Sequence, residues 1–112
     1  MKTKTINLVS EFSAKPAGRY TNDVYPDSGE RFRDNFLAPA LKEFDRVIVV
    51  LDGYNRYGRS FLDEAFGGLI RESKFKKSEL DEKLVYQHKL VPSIASLIRE
   101  RIEQAAKDTG CY

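Results

Sequence analysis

The sequence predicts an α/β fold, and two observations carry that prediction. The first is alternation: strand-like and helix-like patterns follow one another as β, loop, α, β, α, β, α along 112 residues, with no internal repeat. Such alternation favours helices layered on a sheet that is at least partly parallel. The second is the stretch Val47–Glu72, VIVVLDGYNRYGRSFLDEAFGGLIRE, which reads as a strand, a Gly-bearing turn and a helix in direct succession. A chain of this length builds one hydrophobic core rather than two, so residues 1–112 are expected to form a single domain.

Each element has its own signal. Lys2 to Phe12 alternates Thr3, Thr5 and Asn7 against Lys4, Ile6 and Leu8, the period of a half-buried strand. Pro16 and Gly18 mark a loop, which Thr21 to Tyr25 continues as a short strand or an extended connection. Asp27 and Glu30 have capping-box spacing and open a helix. Its 3.6-residue period puts Phe32, Phe36, Leu37, Ala40, Leu41 and Phe44 on the core side, while Arg33, Asn35 and Lys42 project away. Pro39 falls inside this pattern and, lacking an N–H, should kink or split the helix. The β-branched run Val47–Leu51 suits a strand covered on both faces. Ser73 to Asp81 is a polar connection, and Lys83 to His88 a further strand. Pro92 starts the last helix, with Ile94, Ala95, Ile98, Ile102 and Ala105 as its buried side and Gly110 as its stop.

The helix after the central strand carries the most information. Ser60 has N-cap character, and Ser60-x-x-Asp63 repeats the capping-box spacing. Phe61, Leu62, Ala65, Phe66, Leu69 and Ile70 fill one half of its wheel. The other half holds Asp63, Glu64, Gly67, Gly68 and Arg71. A helical glycine costs about 1 kcal/mol relative to alanine. Two in a row therefore imply a close approach, either of a ligand or another backbone or through packing within the domain.

Composition narrows the function classes. A net charge of +2 gives no electrostatic case for nucleic acid, and the lysines at 74, 76 and 77 are read as a solvated loop. No apolar run approaches a membrane span and no signal-peptide core follows Met1. Cys111 stands alone, so a cytoplasmic location is expected and no two-cysteine metal motif can form. The only histidine, His88, sits in a predicted strand without a nucleophile or carboxylate spaced around it, which suits a structural role. Neither phosphate-binding glycine signature occurs. Arg56 and Arg59 nevertheless precede a helix N-terminus, a place that attracts anions. The residues point to binding or regulation rather than turnover, with no enzyme activity, cofactor or metal expected.

Three segments together carry a family resemblance: SGERFRDNFLAPAL (Ser28–Leu41), VIVVLDG (Val47–Gly53) and RSFLDEAFGGLIRE (Arg59–Glu72). The chain resembles the bacterial STAS-like domains of unknown function, relatives of the sulfate transporter and anti-sigma factor antagonist domains. The resemblance runs from Gly18 to the last helix. It implies a small mixed β-sheet with helices packed mainly on one face. In anti-sigma factor antagonists, a serine at the start of the helix after the central strand is phosphorylated by a partner kinase of the GHKL ATPase type. Ser60 falls at that junction, although Tyr57-Gly58-Arg59-Ser60 stands where the antagonists carry Asp-Ser-Ser-Gly.

The expectation is therefore a non-catalytic regulatory or adaptor domain with Ser60 as candidate phosphoacceptor. Its protein partner, a GHKL-type ATPase or kinase on the family's pattern, would contact Arg56, Tyr57, Gly58, Arg59, Asp63, Glu64, Gly67, Gly68 and Arg71. The alternative is a small-molecule or nucleotide sensor binding at the N-terminus of the Ser60 helix. Homodimerisation through the glycine face or an edge strand is a further option.

Overall fold

Three strands, β1 (Thr3–Asn7), β2 (Arg46–Val50) and β3 (Leu84–Gln87), form one sheet in the order β1-β2-β3 in the computed structural model, which describes residues 1–112. Both pairings are parallel, with Ile6 opposite Val49 and Val49 opposite Tyr86. The sheet is thus parallel throughout rather than mixed, and each return passes through helix, as parallel neighbours require. Two free edges remain, on β1 and β3.

Five helices accompany the sheet. Helix α1 (Leu8–Glu11) is a single turn directly after β1, so the predicted first strand is cut short at Asn7. Helix α2 runs as Gly29–Phe32, a π-helical turn Arg33–Leu37, and Ala38–Glu43. Helix α3 has the same construction: Arg59–Leu62, a π-helical turn Asp63–Gly67, and Gly68–Arg71. Helices α4 (Lys77–Lys83) and α5 (Pro92–Thr109) complete the chain. None is long and apolar enough to cross a membrane.

The expected kink at Pro39 takes a different form. The backbone stays helical through the proline, and the turn just before it widens so that Ala38 N–H donates to Arg33 five residues back. Helix α4 lies in the stretch expected to be a polar connection. Only Leu80 on it is buried, too little for an apolar period to register. Its first turn is capped from a distance: Lys77 N–H donates to the Cys111 carbonyl at 3.0 Å and Ser78 N–H to that of Tyr112 at 2.9 Å. The last helix follows the sequence closely, with Pro92 in its first turn and Gly110 closing it at a left-handed φ of 73°.

The core lies on one face of the sheet only. Val47, Val49 and Leu51 are fully buried there against Phe32, Leu41, Phe61, Phe66 and Ile98. On the opposite face Ile48 and Val50 are half-buried, and Thr3, Thr5, Asn7, Val85 and Gln87 are exposed. The prediction of a central strand covered on both faces is therefore corrected. No helix reaches the second face, and β1 and β3 flank β2 with mostly polar side chains there.

Candidate functional site

The turn between β2 and α3 is built on buried anchors. Tyr57 packs beneath it and donates its hydroxyl to the Leu51 carbonyl at 2.8 Å. Burial pushes its phenol well above the usual range. The Tyr54 ring stands edge-on to Tyr57 at 5.1 Å. His88, also buried, joins this turn to the one after β3: Val91 N–H donates to Nδ1 at 3.0 Å, which leaves Nε2–H to donate to the Tyr54 carbonyl at 2.9 Å. Both ring nitrogens are engaged in holding loops, in keeping with the structural role expected for it.

Above these anchors the turn is open. Gly58 is the N-cap in extended conformation, with no side-chain cap bond, and the helix starts at Arg59. Ser60 therefore lies inside the first turn rather than capping it, exposed and without a side-chain hydrogen bond. The predicted capping box with Asp63 does not form, because Asp63 turns inward to bind arginines. A cleft of about 390 Å³ borders Ser60, lined by Gly18, Arg19, Tyr25, Arg56 and Arg59. Arg56 makes no ion pair, and the nearest carboxylate to Arg59 is Glu100 at 3.7 Å.

One turn further along, the presumed polar half of α3 is buried. Every residue from Phe61 to Ile70 is out of solvent. Asp63 takes Arg19 at 2.6 Å, Arg71 at 3.0 Å and Arg101 at 3.4 Å. Glu64 pairs with Arg33 and, at 3.2 Å, with Arg19. Burial alone would raise the Asp63 carboxyl, but the Arg19 hydrogen bond and the Arg71 charge outweigh it and hold the group below its usual range. The Asp63 hydrogen bond raises Arg19 against the cost of its own burial. Burial would lower Arg33, yet its hydrogen bonds to Glu64 and Asp34 leave it raised.

The two helical glycines make room for this network. A Cβ on Gly68 would strike Nη1 of Arg33, and one on Gly67 would meet Arg71 Nη1 at 2.9 Å and the Arg101 carbonyl oxygen at 3.2 Å. Their reason is packing within the domain. Asp63, Glu64, Gly67 and Gly68 thus offer no surface to a partner, and Tyr57 is likewise buried. Arg71 is partly exposed, while Arg56, Gly58, Arg59 and Ser60 remain on the outside.

Sequence reading missed Arg19, Arg33 and Arg101 as members of the network, and Ser28 as the N-cap of α2. Ser28 accepts from Arg31 N–H at 3.1 Å, whereas Asp27 binds Ser13 and Glu30 accepts from Thr21 N–H. One signal for the network was available. An acidic pair in a helix otherwise apolar or glycine from Phe61 to Ile70 requires buried cations from elsewhere in the chain.

A small α/β domain with helices on one face of a parallel sheet is the class that this architecture defines. The family model for the STAS-like domain of unknown function (DUF4325) matches residues 28–89, more than half of the chain, and the chain belongs to that family. The matched stretch begins at the Ser28 cap and contains Arg33, Ser60, Asp63, Glu64 and Arg71, leaving Arg19 and Arg101 outside it. No curated protein and no solved structure matches the chain.

Proposed function

We propose that this chain is a regulatory or adaptor domain that binds a protein partner through the Arg56–Ser60 surface, with Ser60 as phosphoacceptor for a GHKL-type ATPase or kinase. One observation carries the reading: the Ser60 hydroxyl is exposed, free of any hydrogen bond, and seated beside Arg56 and Arg59. A phosphate there would add a charge of about −1.5 to −2. The N-terminal turn of α3 and the two guanidiniums both favour such a charge. The Asp63–Glu64 network lies below the surface and acts as the rigid base of the site.

The test is incubation with ATP and a purified GHKL-type ATPase, followed by intact-mass spectrometry. A single phosphate adduct, lost in Ser60→Ala, is the expected result. No adduct, together with unchanged partner binding by Ser60→Ala, would sink the switch.

The cleft also favours a second reading, a sensor for a small anionic ligand or nucleotide. Its volume of about 390 Å³ falls within the usual 300–1,000 Å³ span of ligand pockets, and three arginines line it. A thermal shift with millimolar nucleotide would support a sensor through mass action. A melting temperature that stays put across a nucleotide panel argues against it.

A further inference from the structure

We infer that the loop Tyr20–Tyr25 is the anchor of the partner-binding surface and that it receives an acidic protein surface containing an apolar pocket. This rests on the partner-binding reading above and adds both the anchor residues and the chemistry of the occupant. Val24 is 75% exposed, Tyr20 57% and Tyr25 44%, so three of the large hydrophobic side chains left in water crowd into six residues. Tyr25 also lines the cleft that holds Ser60, Arg56 and Arg59. The apolar ridge and the exposed arginines therefore adjoin one another.

The loop is held stiffly. Asn22 Oδ1 accepts from Val24 N–H at 2.8 Å and Tyr25 N–H at 2.9 Å, and Asn22 N–H donates to the Tyr25 carbonyl at 3.3 Å. Thr21 N–H donates to Glu30 at 3.0 Å, and the Thr21 hydroxyl lies 2.7 Å from that of Ser28. The Tyr25 side chain rests on Gly18, where a Cβ would leave no room for it. Apolar groups fixed in place before binding cost little further entropy when covered. Tyrosine and arginine are also the side chains that most often anchor interfaces.

Charge selects the occupant. Arg56 faces solvent without an ion pair, Arg59 has only the exposed Glu100 at 3.7 Å, and Asp23 is the one acid within the loop. An acidic partner complements this surface. A second copy docked ridge to ridge would instead bring two arginine pairs together.

The experiment measures binding of the same GHKL-type ATPase by biolayer interferometry, with thermal melts confirming that each variant is folded. Val24→Glu and Arg56→Glu should each weaken binding at least tenfold, and Tyr20→Ala several-fold. Val85→Glu, on the bare face of the sheet, should bind as wild type. Tight wild-type binding that Val24→Glu leaves within twofold overturns the anchor while the adaptor reading stands. Absence of wild-type binding overturns both. A wild-type dimer that Val24→Glu dissociates, seen by sedimentation velocity, replaces the acidic partner with a second copy and overturns the inference.

Discussion

Arg33 Nη1 donates to Glu64 twice, to its carboxylate and, at 3.1 Å, to its main-chain carbonyl oxygen. Both side chains are almost wholly buried, 5% and 4% exposed. One guanidinium thus neutralises an acid and tethers the widened turn of α3 to the widened turn of α2. Removing either partner strands the other charge out of water, at a cost of about 3–5 kcal/mol. Glu64→Gln and Arg33→Met should each lower stability by that order in urea unfolding. The double variant should cost clearly less than the sum. Strict additivity would show that the pair is not coupled.

Asp63 makes the domain sensitive to acid in a defined direction. Its carboxyl is held below its ordinary value near 3.8 in the folded state. The unfolded chain therefore binds the proton more readily, and stability drops as pH falls from about that value through the folded one. Above it the contribution is complete. Asp63→Asn should be less stable at neutral pH, and its unfolding free energy should fall less steeply than wild type below pH about 4. Parallel acid limbs for the two proteins would refute this assignment.

Two serines that look alike in sequence should behave differently. Ser28 caps α2, so Ser28→Ala should cost about 0.5–2 kcal/mol. Ser60 makes no such bond, and Ser60→Ala should stay within about 0.5 kcal/mol of wild type, as surface changes do. Equal losses in chemical denaturation would return Ser60 to a capping role.

Glycine positions divide in the same way. A Cβ on Gly29 would collide with the Phe61 carbonyl oxygen and lie 3.0 Å from Ala65 N, both of them backbone atoms of α3. Gly29→Ala should destabilise by about 1–3 kcal/mol or more, because backbone cannot yield as a side chain can. Gly58, with open space around it, should lose at most about 0.5–1 kcal/mol as alanine, because alanine's poorer N-cap standing is partly offset by a stiffer unfolded chain. Thermal melts of the two variants decide the point.

The order of strands and helices was legible because it rests on local signals: the Val47–Leu51 run, Pro92 and Gly110. What could not be read depends on contacts far apart in sequence. The wheel drawn for α3 assumed solvent beside Asp63 and Glu64, yet Arg19, Arg33 and Arg101 arrive from distant segments to pair with them. Helix α4 was not legible because only Leu80 on it is buried, and its first turn is completed by the distant carbonyls of Cys111 and Tyr112. The site was legible as a place, the junction around Ser60. Its membership was not, since burial removed Asp63, Glu64, Gly67 and Gly68 from the surface, and the ridge of Tyr20, Val24 and Tyr25 carried no motif.

The bare second face of the sheet governs how the chain opens to solvent. Amides of β2 are locked between two neighbouring strands, whereas β1 and β3 each have one flank with no strand beside it. Helices shield all three from one side only. Native-state hydrogen exchange should therefore be slowest along Val47–Val50 and fastest at the outward amides of Thr3–Asn7 and Leu84–Gln87. The sheet would open from its margins inward, leaving the strand that leads to Ser60 as the last to loosen.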